Sequence, residues 1–209
     1  MAMLGQGPYK AKDFVLRGLT GLSDKQIDVH LGLYRGYVNN VNLLNERLAD
    51  LFKQGKTATP EYAELTRRLG FEYDGMILHE YYFGHLRSGA PQLSPSSRLS
   101  QSLQQCFGSV ENWLADFRTI GSMRGVGWAV LFQDPVTGWL SNHWLTLHHE
   151  GVPAGFKPIV VMDIWEHAFM VDYVPAERSK YIDAFFANLD WSVCEDRLAQ
   201  LAAVREIGR

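Results

Sequence analysis

The segment from Arg87 to Ser100 constrains the fold most, because it cuts the chain into two unlike halves. It holds Gly89, Pro91, Pro95 and five serines, a composition in which helix is locally expensive and turns are cheap. Before it the pattern is helical throughout. Ser23 with Gln26 three residues later forms a possible capping box. Ile27, His30, Leu31, Tyr34, Tyr37 and Val38 then recur at spacings of three and four, and the apolar pattern runs on to Leu51, ending near Gly55. Thr59-Pro60-Glu61 starts a second helix reaching about Arg68, and a third is expected from Asp74 to Leu86.

After the segment the periodicity changes. A helix is expected from Gln101 to Leu114 and beyond Asp116. A short apolar strand follows at Trp128–Phe132, then a turn at Asp134–Gly138. Its hairpin partner is expected over Trp139–Leu147, and a third strand over Pro158–Met162. A helix is expected to follow Asp163 through His167, with further helices from Lys180 to Asn188 and from Ser192 to Arg205. The order predicts an α+β protein: an N-terminal helical hairpin domain over 1–90, and a C-terminal domain over 91–209 with a small three-stranded antiparallel sheet surrounded by helices.

Composition narrows the function classes. A formal net charge of -3 offers no basic surplus for a nucleic-acid partner. No segment approaches a membrane-spanning length without charges, and the amino terminus lacks an apolar stretch of secretory type, so a cytoplasmic location is expected. Cys106 and Cys194 are too few for a disulfide framework or a thiolate metal motif, and are expected to be ordinary thiols of a reducing compartment.

Asp163 and His167 are four residues apart, so a carboxylate oxygen and an imidazole nitrogen can converge across one helical turn, a donor pair suited to Fe or Mn. Alone, such a pair more often caps a helix. His30 and His79 lie on apolar helical faces, where a satisfied core histidine is the commoner occupant. If all four converge they make a three-His, one-carboxylate site, and the spacing by itself reaches a non-haem metal protein and no further.

Asp163-Ile-Trp-Glu-His-Ala168 resembles the D-x-W-E-H-A segment of the iron/manganese superoxide dismutase family. Ile27-Asp-Val-His30 with Gly36-Tyr-Val-Asn39 is similar to that family's first helix, His79-Glu-Tyr-Tyr-Phe83 to its second histidine motif, and Gly125-Val-Gly-Trp128 to its glycine–tryptophan strand start. The matches fall in family order over most of the chain. The resemblance implies His30, His79, Asp163 and His167 as ligands of one Fe or Mn ion per subunit, with a slight preference for Fe and the site between the two domains. It implies Tyr37 as the gateway to the substrate channel, and Trp128 and Trp165 as aromatic walls. Glu166 would reach across a homodimer interface to the other subunit's ligand histidine. The implied reaction is conversion of superoxide to oxygen and hydrogen peroxide, an antioxidant activity. A non-catalytic dimeric metal-binding or structural protein of the same fold is the alternative, with a non-haem iron oxygenase behind it.

The chain departs from the family pattern in four places. The interval from His30 to Tyr37 is one residue shorter than usual, so that Leu33 and Tyr34 replace two adjacent histidines. Met170 stands where a tyrosine is expected, which suggests an apolar Leu33–Met170 contact at the dimer interface. Val174 replaces an arginine near the substrate funnel. Gly75 occupies one of the two family positions for an outer-sphere glutamine, which transfers that role to His148 on the hairpin side, with His149 as its neighbour.

Overall fold

The computed structural model describes residues 8–198. Two long helices form an antiparallel pair, α1 (Asp24–Lys53) and α2 (Pro60–Gly84). Both starts are set by side-chain caps: Ser23 Oγ accepts from the Gln26 amide and Thr59 Oγ1 from the Tyr62 amide, with Pro60 in the first turn of α2. The expected capping box is not completed, because the buried Gln26 side chain turns away to the segment that carries His167. The helices expected to end near Arg68 and to begin at Asp74 are one continuous helix. Gly70 is exposed and a side chain there would meet nothing within 4 Å. A lone glycine costs a helix only about 1 kcal/mol, less than the burial of the flanking apolar face against α1 returns.

The single helix expected after Gln101 is instead two, α3 (Arg98–Phe107) and α4 (Val110–Gly121). Gly108 ends the first with φ 84°, and Ser109 caps the second by accepting from the Asn112 amide. The sheet has the expected three strands, β1 (Trp128–Gln133), β2 (Leu140–Leu145) and β3 (Lys157–Asp163), antiparallel in the order β2-β1-β3. Every residue of the central β1 is buried, which explains its unbroken apolar run where an edge strand would alternate. Pro158 sits on the edge strand β3, beside the register shift between Leu131 and Phe132.

The helix expected from Asp163 is a single 3-10 turn over Glu166–Ala168. Another short turn, Pro175–Glu177, leads into α5 (Arg178–Ala187), and residues 191–198 are helical. The remainder of the helix expected to Arg205 lies outside the described residues. One apolar core joins the inner faces of α1 and α2 to the sheet and to α5, with Trp113, Trp128, Tyr181, Phe117 and Phe185 completely enclosed. Cys106 and Cys194 are both free thiols, and burial pushes Cys194 up to about 12. No helix among the described residues is long and apolar enough to cross a membrane.

Two glycines give opposite tests of this architecture. Gly70→Ala is expected to stabilise the protein by roughly 0.5–1 kcal/mol through helix propensity. At Gly127, φ is 136° and a Cβ would lie 1.9 Å from the Leu145 carbonyl oxygen. Gly127→Ala is therefore expected to cost about 3 kcal/mol or more. Chemical denaturation of the two variants checks both signs.

Candidate metal centre

The pairing of β1 with β3 sets Trp128 opposite Asp163 at the end of the sheet. Asp163 is completely buried, and its backbone is held where the strand stops. The Tyr181 hydroxyl donates to its carbonyl, and its Oδ1 accepts from the Trp165 amide at 2.8 Å. That leaves Oδ2 facing the two long helices. His30 Nε2 from α1 lies 3.0 Å from it, His167 Nε2 3.2 Å and His79 Nε2 from α2 3.5 Å. The four donor atoms all lie within 4.8 Å of one another. The structure therefore brings together all four residues the sequence nominated.

Their protonation states fit a cation. Burial holds His30 and His79 below the ordinary imidazole range, the effect on His79 reinforced by His30. Burial alone would raise the Asp163 carboxyl, but the charge and hydrogen bond of His167 and the hydrogen bond of His30 hold it well below the usual carboxylate range. His79 is the most informative. Its Nδ1 lies 2.5 Å from the Gly75 carbonyl oxygen, which only accepts, so the ring proton sits on Nδ1 and Nε2 carries a bare lone pair. That lone pair is buried, has no hydrogen-bond partner, and faces a carboxylate oxygen. Two acceptors buried face to face repel unless a positive charge lies between them. Nitrogen and oxygen donors in this ratio, without a thiolate, suit Fe or Mn.

The shell around the four is aromatic. Trp128 stands edge-on to His79 at 5.0 Å, and Trp165 stacks on His167 at 5.7 Å and on His148 at 4.9 Å. His148 is fully buried, and its pKa is lowered to about 4, first by burial. Trp128 Nε1–H donates to His148 Nδ1 at 3.0 Å, and an indole nitrogen only donates. The neutral ring therefore carries its proton on Nε2, which donates to the Tyr37 hydroxyl at 2.7 Å. Tyr37 accepts from His148 and keeps its own O–H free to donate. The neighbour His149 packs against Phe71 at 5.7 Å, whereas His148 alone makes the bonds to Trp128 and Tyr37.

His30 and Tyr37 face the same cluster from a regular helix. Seven residues at about 100° each return to within about 20° of the starting face, so the shortened interval is met by unbroken α-helix with no bulge. Glu166 is exposed, as are Leu33 and Met170, 41% and 48% respectively. Val174 is exposed too. Four residues on, the Arg178 guanidinium donates to the carbonyls of Met123 and Gly125, while Lys180 is paired with Glu177.

Sequence reasoning missed Gln26. It is completely buried, its Nε2 donates to the His167 carbonyl at 2.7 Å, and its Oε1 accepts from the Val171 amide at 2.9 Å. Ser23 adds two bonds to the Asp172 carboxylate, at 2.7 and 2.6 Å. The start of α1 thus clamps the loop that presents His167. A polar residue on the buried stripe of a helix was the one available signal, and the capping-box reading absorbed it.

Gly75 has a positive role in this geometry. A Cβ there would lie 2.7 Å from Tyr37 Cδ1 and 2.9 Å from Cε1, so only glycine lets the Tyr37 ring lie against α2. Gly75→Ala is expected to cost about 1–3 kcal/mol through overpacking, roughly 3–10 °C in melting temperature, and to break the Tyr37–His148 hydrogen bond. A thermal melt and a crystal structure of the variant check the two effects.

Comparison with known proteins agrees with this site. Residues 95–197 match the family described as iron/manganese superoxide dismutases, C-terminal domain. The chain is 36% identical over 186 residues to a superoxide dismutase [Fe] of Aquifex pyrophilus, covering 87% of this chain and 86% of the relative. It is 36% identical over 193 residues to a superoxide dismutase [Fe] of Cupriavidus metallidurans, covering 90% and 93%. It is also 35% identical over 172 residues to superoxide dismutase [Mn] 1 of Halobacterium salinarum, covering 81% and 82%. With similarity running nearly end to end and the donor atoms of His30, His79, Asp163 and His167 converging on one point, the chain belongs to the iron/manganese superoxide dismutase family.

Proposed function

We propose that this protein is a superoxide dismutase in which His30, His79, Asp163 and His167 hold one Fe or Mn ion. The observation that carries this reading is the bare Nε2 lone pair of His79 set against the buried Asp163 carboxylate, an arrangement that a cation completes. When bound, the metal supplies one-electron chemistry, alternating between trivalent and divalent states so that one superoxide is oxidised to oxygen and a second is reduced to hydrogen peroxide. The overall reaction consumes two protons for each peroxide released.

The residues divide the remaining work. Asp163 and the three imidazoles fix the ion between the helical pair and the sheet. Tyr37, half-buried on the open side, holds a donatable proton on its hydroxyl because His148 Nε2–H occupies that oxygen as donor. Trp128 orients His148 through its indole N–H, and Trp165 stacks on both His148 and His167, so aromatic rings wall the cluster. Hydrogen bonds aimed at the ion's surroundings tune both its potential and proton delivery, and a dismutase needs the two half-reactions to be favourable in turn.

Iron is given a slight preference over manganese, and the relatives include both iron-named and manganese-named enzymes. A homodimer is part of this reading: Val29, Leu33, Met170 and Val171 are exposed apolar side chains, Gln26 ties the Val171 amide to the start of α1, and Glu166 is exposed. In the dimer it can accept from the partner's ligand histidine and fix that ring's orientation. Two domains, 1–90 and 91–209, would each supply two of the four ligands. A cytoplasmic location, with neither nucleic acid nor membrane as partner, suits the free thiols and the mild negative charge.

The test is turnover after reconstitution with each metal. Protein loaded with iron, manganese or both is expected to dismutate superoxide, with the active species sedimenting as a dimer. Asp163→Asn is expected to lose at least a hundredfold in metal affinity or activity. A folded protein, fully loaded with either metal and inactive with both, rejects the reading.

A further inference from the structure

Two to three turns before His79, α2 carries an ion pair between a buried carboxylate and a half-exposed guanidinium that none of the roles above uses. The Glu72 side chain is 4% exposed and that of Arg68 49%. Glu72 Oε1 accepts from Arg68 Nε at 2.7 Å and lies 2.6 Å from Nη2, while Oε2 accepts from Asn40 Nδ2 at 3.1 Å. The guanidinium carbon stands 3.9 Å over the centre of the Phe71 ring. That ring in turn lies 4.5 Å from His148 and 6.2 Å from Tyr37. The pair is therefore one aromatic ring away from the half-buried side of the metal centre.

A carboxylate in that place opposes the reaction. Superoxide is a monoanion, and a charge removed from water acts over a longer distance than one at the surface. Both charges stand close to the Tyr37 side of the site, with only the Phe71 ring between the guanidinium and the Tyr37 and His148 rings. The half-exposed guanidinium is thus the counter-charge for a carboxylate otherwise held by a neutral amide, and it also stacks on the ring that packs against His148.

We propose that Arg68 sets the potential met by an incoming monoanion on this side of the site, by cancelling the buried Glu72 carboxylate and holding the Phe71 ring against His148 and Tyr37. Arg68 is a positioning residue that acts through its neighbours. The assignment rests on the superoxide dismutase reading, and its predicted signature is electrostatic: it depends on salt and is reversed by removing the paired charge.

The test uses metal-loaded wild type, Arg68→Gln, Arg68→Lys and the double variant Arg68→Gln/Glu72→Gln. It measures kcat/KM for superoxide as a function of ionic strength, and the dissociation constant of azide, a small monoanion, by absorbance titration. Arg68→Gln is expected to lower kcat/KM and weaken azide binding about three- to tenfold at low salt. The loss should shrink once the screening length falls below about 5 Å. The double variant is expected to recover most of both losses, and Arg68→Lys to keep the charge and most of the effect. A single variant with wild-type azide affinity and salt dependence overturns the proposal, as does a double variant as impaired as the single one. Should Arg68→Gln fail to fold, Glu72→Gln alone is expected to tighten azide two- to threefold, and an unchanged affinity rejects the assignment. Wild-type protein without turnover rejects the enzymatic reading instead, while the azide series still decides the role of Arg68.

Discussion

Asp163 is the residue on which the rest of the structure depends. A fully buried carboxylate is costly unless its charge is matched and its oxygens are occupied. Here one oxygen is met by a backbone amide and the other is surrounded by three imidazole nitrogens. Helix α1, helix α2 and the loop after β3 each supply one of those nitrogens. The metal centre therefore joins the helical pair to the sheet. Binding free energy at such a site is also folding free energy, because the ligands are not assembled in the unfolded chain.

Around that point the chain uses small local devices to hold each group. Gly75 has no side chain so that Tyr37 can lie on α2. Gln26 spends both ends of its amide on the loop carrying His167. Trp128 fixes the tautomer of His148, and through it the direction in which the Tyr37 hydroxyl can give its proton. These contacts form one connected network, so a change at an outer member such as Gln26 or Trp128 is felt at the ligands and at the proton donor alike.

Much of this was legible in the sequence. The Ser23 and Thr59 caps, the apolar run at Trp128–Phe132 and the turn at Asp134–Gly138 are local signals, and each lies where the structure has the matching element. The four ligands were nominated by residue type and spacing together with the family motifs. What was not legible depended on tertiary contact. The pattern from Pro60 read as two helices, ending near Arg68 and restarting at Asp74, because the packing against α1 that makes them one is not a local signal. Gly108-Ser109, a helix stop followed by a cap, was a local signal that the reading of one continuous helix passed over. The Gln26 clamp spans 141 residues to His167, and the Trp128–His148–Tyr37 chain joins three elements, so neither leaves a periodic trace. The shortened His30–Tyr37 interval looked like a defect when set against the family's usual spacing, but on a regular helix it is the separation that puts both residues on one face.

The central claim is that these four side chains bind a single metal ion. Anomalous diffraction from crystals of the metal-loaded protein, collected on either side of the iron and manganese absorption edges, tests it directly. The predicted result is one anomalous peak per chain, within bonding distance of His30 Nε2, His79 Nε2, Asp163 Oδ2 and His167 Nε2. A loaded, active protein whose peak lies elsewhere, or whose ion is held by a different set of side chains, would contradict the account.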